Sequence, residues 1–296
     1  MSTEVPGRKP TRYRSGTVST SPLLLLLVGV AAAVGAVMNA MAGGGTLITF
    51  PALVALGVPP ITANATSTVA LWPGTMASMW GYRRELGGAR DWARAWAIPS
   101  IIGGAVGAGL LVVTPERRFE QLVPWLILGA TVLFIGQGPL LRRMRELAPG
   151  DEANPLMART AEWLASRQIT QGDGTLRSPS RAFLGYQFLV AVYGGYFGAG
   201  AGILMLAALG LMGLTNIHQM NGLKNWGGGL FNLVAVGIFV VGGLVNWPIA
   251  LAMAAGATAG GIGGSLLAQR VGQAWVRRVI AVIGLGSGLA MLFGLL

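Results

Sequence analysis

The sequence predicts an all-α polytopic membrane protein with about eight transmembrane helices in two repeated halves, each with a glycine-broken helix. Three observations carry that expectation. Apolar residues make up 53% of the chain and charged residues only 10%, against roughly a quarter charged in soluble chains. Uncharged stretches of about 20 residues recur, the length that crosses a hydrocarbon core about 30 Å thick. Glycine runs interrupt two of these stretches, Gly43-Gly44-Gly45 in the first half and Gly198-Ala199-Gly200-Ala201-Gly202 in the second.

Residues 1–21 form a polar tail with Arg8, Lys9, Arg12 and Arg14. A basic start before a leucine run resembles a signal peptide, but the apolar stretch continues to the glycines. Pro22 to Ala42 is therefore a retained first helix with a cytoplasmic amino terminus. Each glycine weakens a helix by about 1 kcal/mol relative to alanine, so three together break it. Helix resumes at Thr46 and lasts to about Gly57, roughly 12 residues or about 18 Å. Pro59 and Pro60 stop it, and a third segment starts near Asn64 and runs to Trp80. Broken backbone at membrane depth is tolerated only inside protein or beside a wet cavity. The break therefore points to a binding site more than to close helix packing.

A charged turn from Tyr82 to Arg94 leads into the uncharged stretch Ala95 to Pro115, which carries Gly103, Gly104, Gly107 and Gly109. After the loop Glu116 to Glu120, Gln121 to Leu141 is again long enough to span. Residues 142–182 are a polar basic linker, which positive-inside bias places in the cytoplasm. Its middle, Asn154 to Gln168, could form a surface amphipathic helix with Trp163 towards lipid; a solvated linker is the simpler expectation.

The second half repeats the first. Gly57 aligns with Gly213 and Ile61 with Ile217, both offset by 156 positions. Trp92 pairs with Trp247 at an offset of 155, and Gly107 with Gly263 at 156. Landmarks at one spacing indicate an internal duplication. The chain thus divides into the tail 1–21, a membrane repeat 22–141, the linker 142–182 and a second repeat 183–296.

Composition also excludes functions. There is no cysteine and one histidine, His218, so thiolate and multi-histidine metal sites are ruled out, and neither metal nor cofactor is expected. The net charge of +11 lies in loops and tails; it sets topology and does not suit nucleic-acid binding. No paired carboxylates or nucleophile–base set suggests an enzyme. The expected partners are a small anionic substrate and the lipid bilayer, with homo-oligomerisation left open.

The stretches GGGTLITFPALVALGVPPITANATS, ARDWARA, GGAVGAGLL and GYFGAGAG with HQMNGLKN resemble the sulfite exporter TauE/SafE family of membrane anion permeases. The likeness covers roughly Pro22 to Leu141 and Phe183 to Leu296. It implies a multi-pass carrier of the bacterial inner membrane that moves sulfite, sulfonates or related small anions. The second glycine run departs from the first, and Ala207 stands where the first half has Pro51. The two halves are therefore expected to contribute unequally.

The residues themselves suit anions. A glycine break leaves helix amino-terminal amides free, at the positive end of the dipole and without side chains in the way. The candidate substrate-binding residues are Gly43, Gly44, Gly45 and Thr46 at the first break, with Asn64, Thr66 and Ser67 in the next segment. Gly200, Gly202, Asn221, Lys224 and Asn225 are their counterparts in the second half. Thr68 and Asn232 are further polar neighbours, Asn39 and Gln187 are weaker candidates, and His218 is expected in a loop. Lys224 is the only fully charged side chain between Ala182 and Gln269, and a lysine inside a membrane costs about 2.5–3.5 kcal/mol. Placed near a helix start, it either touches substrate or snorkels to the interface. The expected function is export of small anions bound at the broken-helix termini; an uptake carrier for another organic anion and a non-transporting scaffold are the alternatives.

Overall fold

The computed structural model of the chain describes residues 21–87, 89–146, 179–212, 214, 216–267 and 273–295. The tail before Ser21, the proposed helix at Asn154 to Gln168, most of the linker and Gly213 lie outside those residues. The described residues are helical throughout: α1 (Pro22–Ala42), α2 (Thr46–Ala55), α3 (Pro60–Gly81), α4 (Arg83–Gly87), α5 (Arg90–Val113) and α6 (Glu116–Glu146), then α7 (Arg181–Tyr196), α8 (Ala201–Leu211), α9 (Ile217–Val241), α10 (Trp247–Leu267) and α11 (Gln273–Leu292). Three of them, over Pro22–Ala40, Arg90–Val113 and His218–Val241, are long and apolar enough to cross a membrane. The short helices are α4, α2 and α8, the last two only 10 and 11 residues long. The protein is an all-α polytopic membrane protein.

Local chemistry sets the boundaries. Pro22 occupies the first turn of α1, and the Ser21 hydroxyl accepts from the Leu24 amide at 3.2 Å, a capped start. Gly43, at φ +82°, ends the helix and returns its N–H to Asn39 O at 3.0 Å, a left-handed stop that glycine alone takes without strain. Pro60 does not merely end α2; it opens α3, where its missing N–H costs nothing. The third helix therefore begins four residues before the expected Asn64. The Glu116 carboxylate caps that start, accepting from the Ile61 amide at 2.9 Å. Asn216 caps α9 by accepting from His218 and Gln219. His218 is thus in a helical first turn, not a loop, and Lys224 lies two turns inside α9.

Both short helices fold back on the helix before them. A Cβ on Gly35 would stand 2.9 Å from Thr49 Cγ2, and one on Gly45 2.9 Å from Asn39 Cβ, so α2 returns along α1. The Tyr193 hydroxyl donates to Ala199 O at 2.6 Å and the Tyr186 hydroxyl to Leu204 O at 3.1 Å, so α8 returns along α7. Each half thus opens with a helical hairpin whose return arm is only about 15 Å long.

The halves run in opposite directions. Gly256, Gly260 and Gly264 of α10 meet Gly29, Ala33 and Val37 of α1 in the same order. Gly74 of α3 faces Ala257, and the Ser78 hydroxyl donates to Gly261 O at 3.3 Å. Hence α1, α3 and α10 are parallel. Trp72 Nε1 donates to Gly229 O at 3.1 Å, while the Asn246 amide donates to Thr66 Oγ1 at 3.0 Å. The repeat-related α3 and α9 are therefore antiparallel, the signature of an inverted duplication. Two landmarks shift. Gly263 faces open space, whereas Gly264 packs on Val37, so the counterpart of Gly107 is Gly264. Trp92 is buried but Trp247 is half exposed, and buried Ile249 is the counterpart of Trp92.

The first helix of each half packs on the other half, α1 on α10 and α7 on α5, the two most extensive helix pairings. Small residues make this possible, as in other membrane bundles. A Cβ on Gly103 would stand 2.6 Å from Phe188 O, and one on Gly107 would land on Val192 O. Gly107→Ala should lower stability by about 1–3 kcal/mol through overpacking. Gly109→Ala, two positions further on with open space beside it, should be neutral or slightly stabilising in thermal unfolding of the purified protein.

Candidate functional site

The two hairpin tips meet at the centre of the bundle. A Cβ on Gly43 would stand 2.8 Å from Gly202 Cα, and one on Gly202 would stand 2.9 Å from Gly43 Cα. Only two glycines permit that crossing. Gly200, at φ +80°, caps α8 as Gly43 ends α1. The amino termini of α2 and α8 thereby face one space rather than two.

That space is a cavity of about 40 Å³, room for roughly three waters at about 10–15 Å³ each. Gly43 and Thr46 line it from the first hairpin and Gly198, Ala201 and Gly202 from the second. Thr68, Leu71 and Thr75 of α3 form one wall; Lys224, Asn225, Gly228 and Asn232 of α9 form the facing one. Thr68, Leu71 and Thr75 correspond to Asn225, Gly228 and Asn232 at the repeat offset of 157. Both walls are helix stripes at spacings of three and four.

Of the residues expected from sequence, Gly43, Thr46, Thr68, Gly202, Lys224, Asn225 and Asn232 line the cavity. Gly44, Gly45, Gly200, Asn64, Thr66, Ser67, Asn221 and Gln187 do not. Gly44 and Gly45 form the turn behind Thr46, and Gly200 caps α8. Thr66 Oγ1 accepts from the Asn246 amide, the hydroxyls of Ser67 and Thr49 bond each other, and Asn64 Nδ2 donates to Tyr196 O at 3.0 Å. These three brace helices. Asn221 is buried one turn before the cavity, and Gln187 donates to Ser100 Oγ at 3.0 Å between α5 and α7. Asn39, a weak candidate by sequence, lines the cavity and donates to Thr75 Oγ1 at 3.3 Å. Sequence reading missed Thr75; its position seven residues after Thr68, repeated as Asn225 and Asn232, was the available signal.

Lys224 is only 3% exposed, so its side chain does not reach the interface. Its Nζ donates to Asn39 O at 2.8 Å and to Ala40 O at 3.3 Å, the carboxyl end of α1. Asn225 is 1% exposed and its Nδ2 has no hydrogen-bond partner among the described residues. A buried unmet donor costs about 1–3 kcal/mol. The wall thus carries one cation, one unmet amide donor and two helix amino termini. All of these donate to, or attract, negative charge.

Residues 25–291 match the sulfite exporter TauE/SafE family. The chain belongs to that family. A probable membrane transporter protein of Haemophilus influenzae is 28% identical over 264 residues, covering 88% of this chain and 91% of that protein. The probable membrane transporter protein YfcA of Escherichia coli is 27% identical, over 89% of this chain and 87% of its own. ORF9 of a Sinorhizobium species, also a probable membrane transporter protein, is 25% identical over 91% and 92%. No solved structure matches. As a TauE/SafE member, the protein is a membrane transporter.

If Asn225 serves the solute, Asn225→Leu should leave thermal stability without solute within about 1 kcal/mol of the parent, since Nδ2 bonds no described residue. Solute affinity should fall at the same time. Loss of stability without loss of affinity would assign Asn225 to the fold instead.

Proposed function

We propose that the protein is a permease for small anions, exporting sulfite, sulfonates or related sulfur oxyanions across the bacterial inner membrane. One observation carries this reading: the amino termini of α2 and α8, the Lys224 ammonium and the unmet Asn225 amide converge on one central cavity. Helix amino termini bind oxyanions through free amides and the dipole, and transporters use discontinuous helices in this way. The cavity's size suits a small, largely dehydrated ion. Outward movement of a dianion against no other gradient gains roughly 4.6 kcal/mol at 100 mV, inside negative. No coupling ion is needed for export.

Helix direction and charge support one orientation. Since α1 and α3 are parallel, the Ser21 end of α1 lies with the start of α3 and Glu116, while the linker joins at the far end. Ser21 and the described ends of the linker, at Glu146 and Ser180, therefore lie on opposite faces of the bundle. The described helix ends on the linker face carry Arg83, Arg84, Arg90, Arg94, Arg142, Arg143, Arg145, Arg181, Arg277 and Arg278. Among the described residues, the opposite face carries the cations Arg117 and Arg118, next in sequence to Glu116 and Glu120. Positive-inside bias supports a cytoplasmic linker end with the Ser21 end outside, the reverse of the cytoplasmic amino terminus expected from sequence. The chain has no cysteine, so single-cysteine variants report cleanly. Ser21 and Ser180 are both exposed and cap the first helices of their halves, so they make a matched pair. An impermeant thiol reagent on intact cells should label Ser21→Cys and spare Ser180→Cys; the reverse pattern inverts the assignment.

Flux of sulfite, thiosulfate, sulfate and taurine in proteoliposomes, with thermal stabilisation by the same panel, tests the function. Lys224→Ala should weaken apparent anion affinity roughly ten- to a hundredfold, the worth of about 1.5–3 kcal/mol for a charge-assisted contact. Equal affinity in parent and variant at matched protein density would remove the lysine from the site, and absence of any flux would favour a non-transporting scaffold.

A further inference from the structure

Lys224 already has ligands within the protein, and they come from the opposite half of the chain. Its Nζ bonds Asn39 O and Ala40 O, and Asn39 O also accepts from Gly43 N at 3.0 Å. These carbonyls form the end of α1, where the helix dipole is negative. A lysine ammonium has three donors; two are spent on α1, and Lys224 also lines the cavity. Among the described residues, the cavity wall contains no carboxylate. The negative partner that Lys224 finds there is a helix end.

The other hairpin is held differently. Tyr196, at the end of α7, is the repeat counterpart of Asn39 at an offset of 157. Its carbonyl accepts from Asn64 Nδ2 at 3.0 Å, across from the first half. Each hairpin is thus fastened at the end of its long arm by a donor from the other half, one neutral and one cationic. A solute anion does not compete for a neutral amide in the way it competes for an ammonium.

We propose that Lys224 is a latch that the transported anion opens: it holds the α1–α2 hairpin by the α1 carboxyl end, and an anion entering the cavity takes the ammonium and frees that hairpin. The proposal rests on the anion-permease reading of the same cavity. Two negative groups compete for one cation, because an anion beside the α1 carbonyls is repelled by them. The anion wins because it offers the ammonium a full opposite charge where the carbonyls at the end of α1 offer only partial ones. The α7–α8 hairpin, fastened by Asn64, does not respond. Binding on one face is thereby converted into movement of one hairpin only.

The test uses the cysteine-free chain with Ala40→Cys, a fully buried position beside the latch, and Ala199→Cys, equally buried at the other tip. Thiol labelling of purified full-length protein is followed with and without sulfite, and binding is read separately by thermal shift. The expected result is that sulfite speeds labelling of Ala40→Cys by about tenfold or more, the order set by losing one charge-assisted bond, and leaves Ala199→Cys unchanged. Adding Lys224→Met should make Ala40→Cys label fast with or without sulfite, whereas Lys224→Arg keeps it slow and releasable. Sulfite that binds but leaves Ala40→Cys labelling unchanged or slowed overturns the latch while the permease reading stands. Slow labelling in a folded Lys224→Met variant overturns the latch whatever sulfite does. If no anion binds or crosses, the permease reading fails; fast labelling in Lys224→Met would then still show the lysine fastening the hairpin, and its anion trigger would be lost.

Discussion

A helix that stops inside a membrane must find partners for its terminal carbonyls, and the interior of this protein is arranged around that constraint. Water would meet those groups at the end of a soluble helix; here side chains must. Asn64 and Lys224 supply them, each reaching from the third helix of its own half to the first helix of the other. The crossing of Gly43 and Gly202 follows, because the two ends can be reached only if the hairpin tips lie against each other. The cavity is what remains between the tips and the polar stripes of α3 and α9.

Much of this was legible in the sequence because the signals were compositional. Glycines mark both breaks, and α1 occupies the expected Pro22 to Ala42, but Ala201 and Gly202 at the end of the second run already belong to α8. Start signals were harder. Pro59 and Pro60 read as a stop, yet proline is equally at home in a first turn, so the start of α3 was placed one turn late. Lys224 was misplaced for a related reason: the polar residues before it look like a loop, although Asn216 makes them a capped helical turn.

The site was legible as chemistry but not as contacts. Asn64, Thr66 and Ser67 carry the right groups, yet they spend them on Tyr196, Asn246 and Thr49. A helix offers polar residues on every side, and the sequence does not say which side meets a cavity. Phase decides it. Thr68 and Thr75 share a stripe that Thr66 and Ser67 do not, and the repeat places Asn225 and Asn232 on the matching one. Helix direction was invisible for another reason, since an offset between like segments is the same whether the copies run parallel or opposed.

The exchange of first helices between halves bears on how the chain could be cut. In either half alone, the glycine stripe of α5 or α10 would have no helix to receive, and the α1 or α7 end no donor to fasten it. A break in the linker, which joins the halves at one end of the bundle, severs none of the contacts described. Two separately made fragments, 1–146 and 179–296, each hold what the other lacks. Complementarity of this kind, two opposed pieces completing one interior, is the arrangement a pair of identical half-length chains inserted in opposite senses would have.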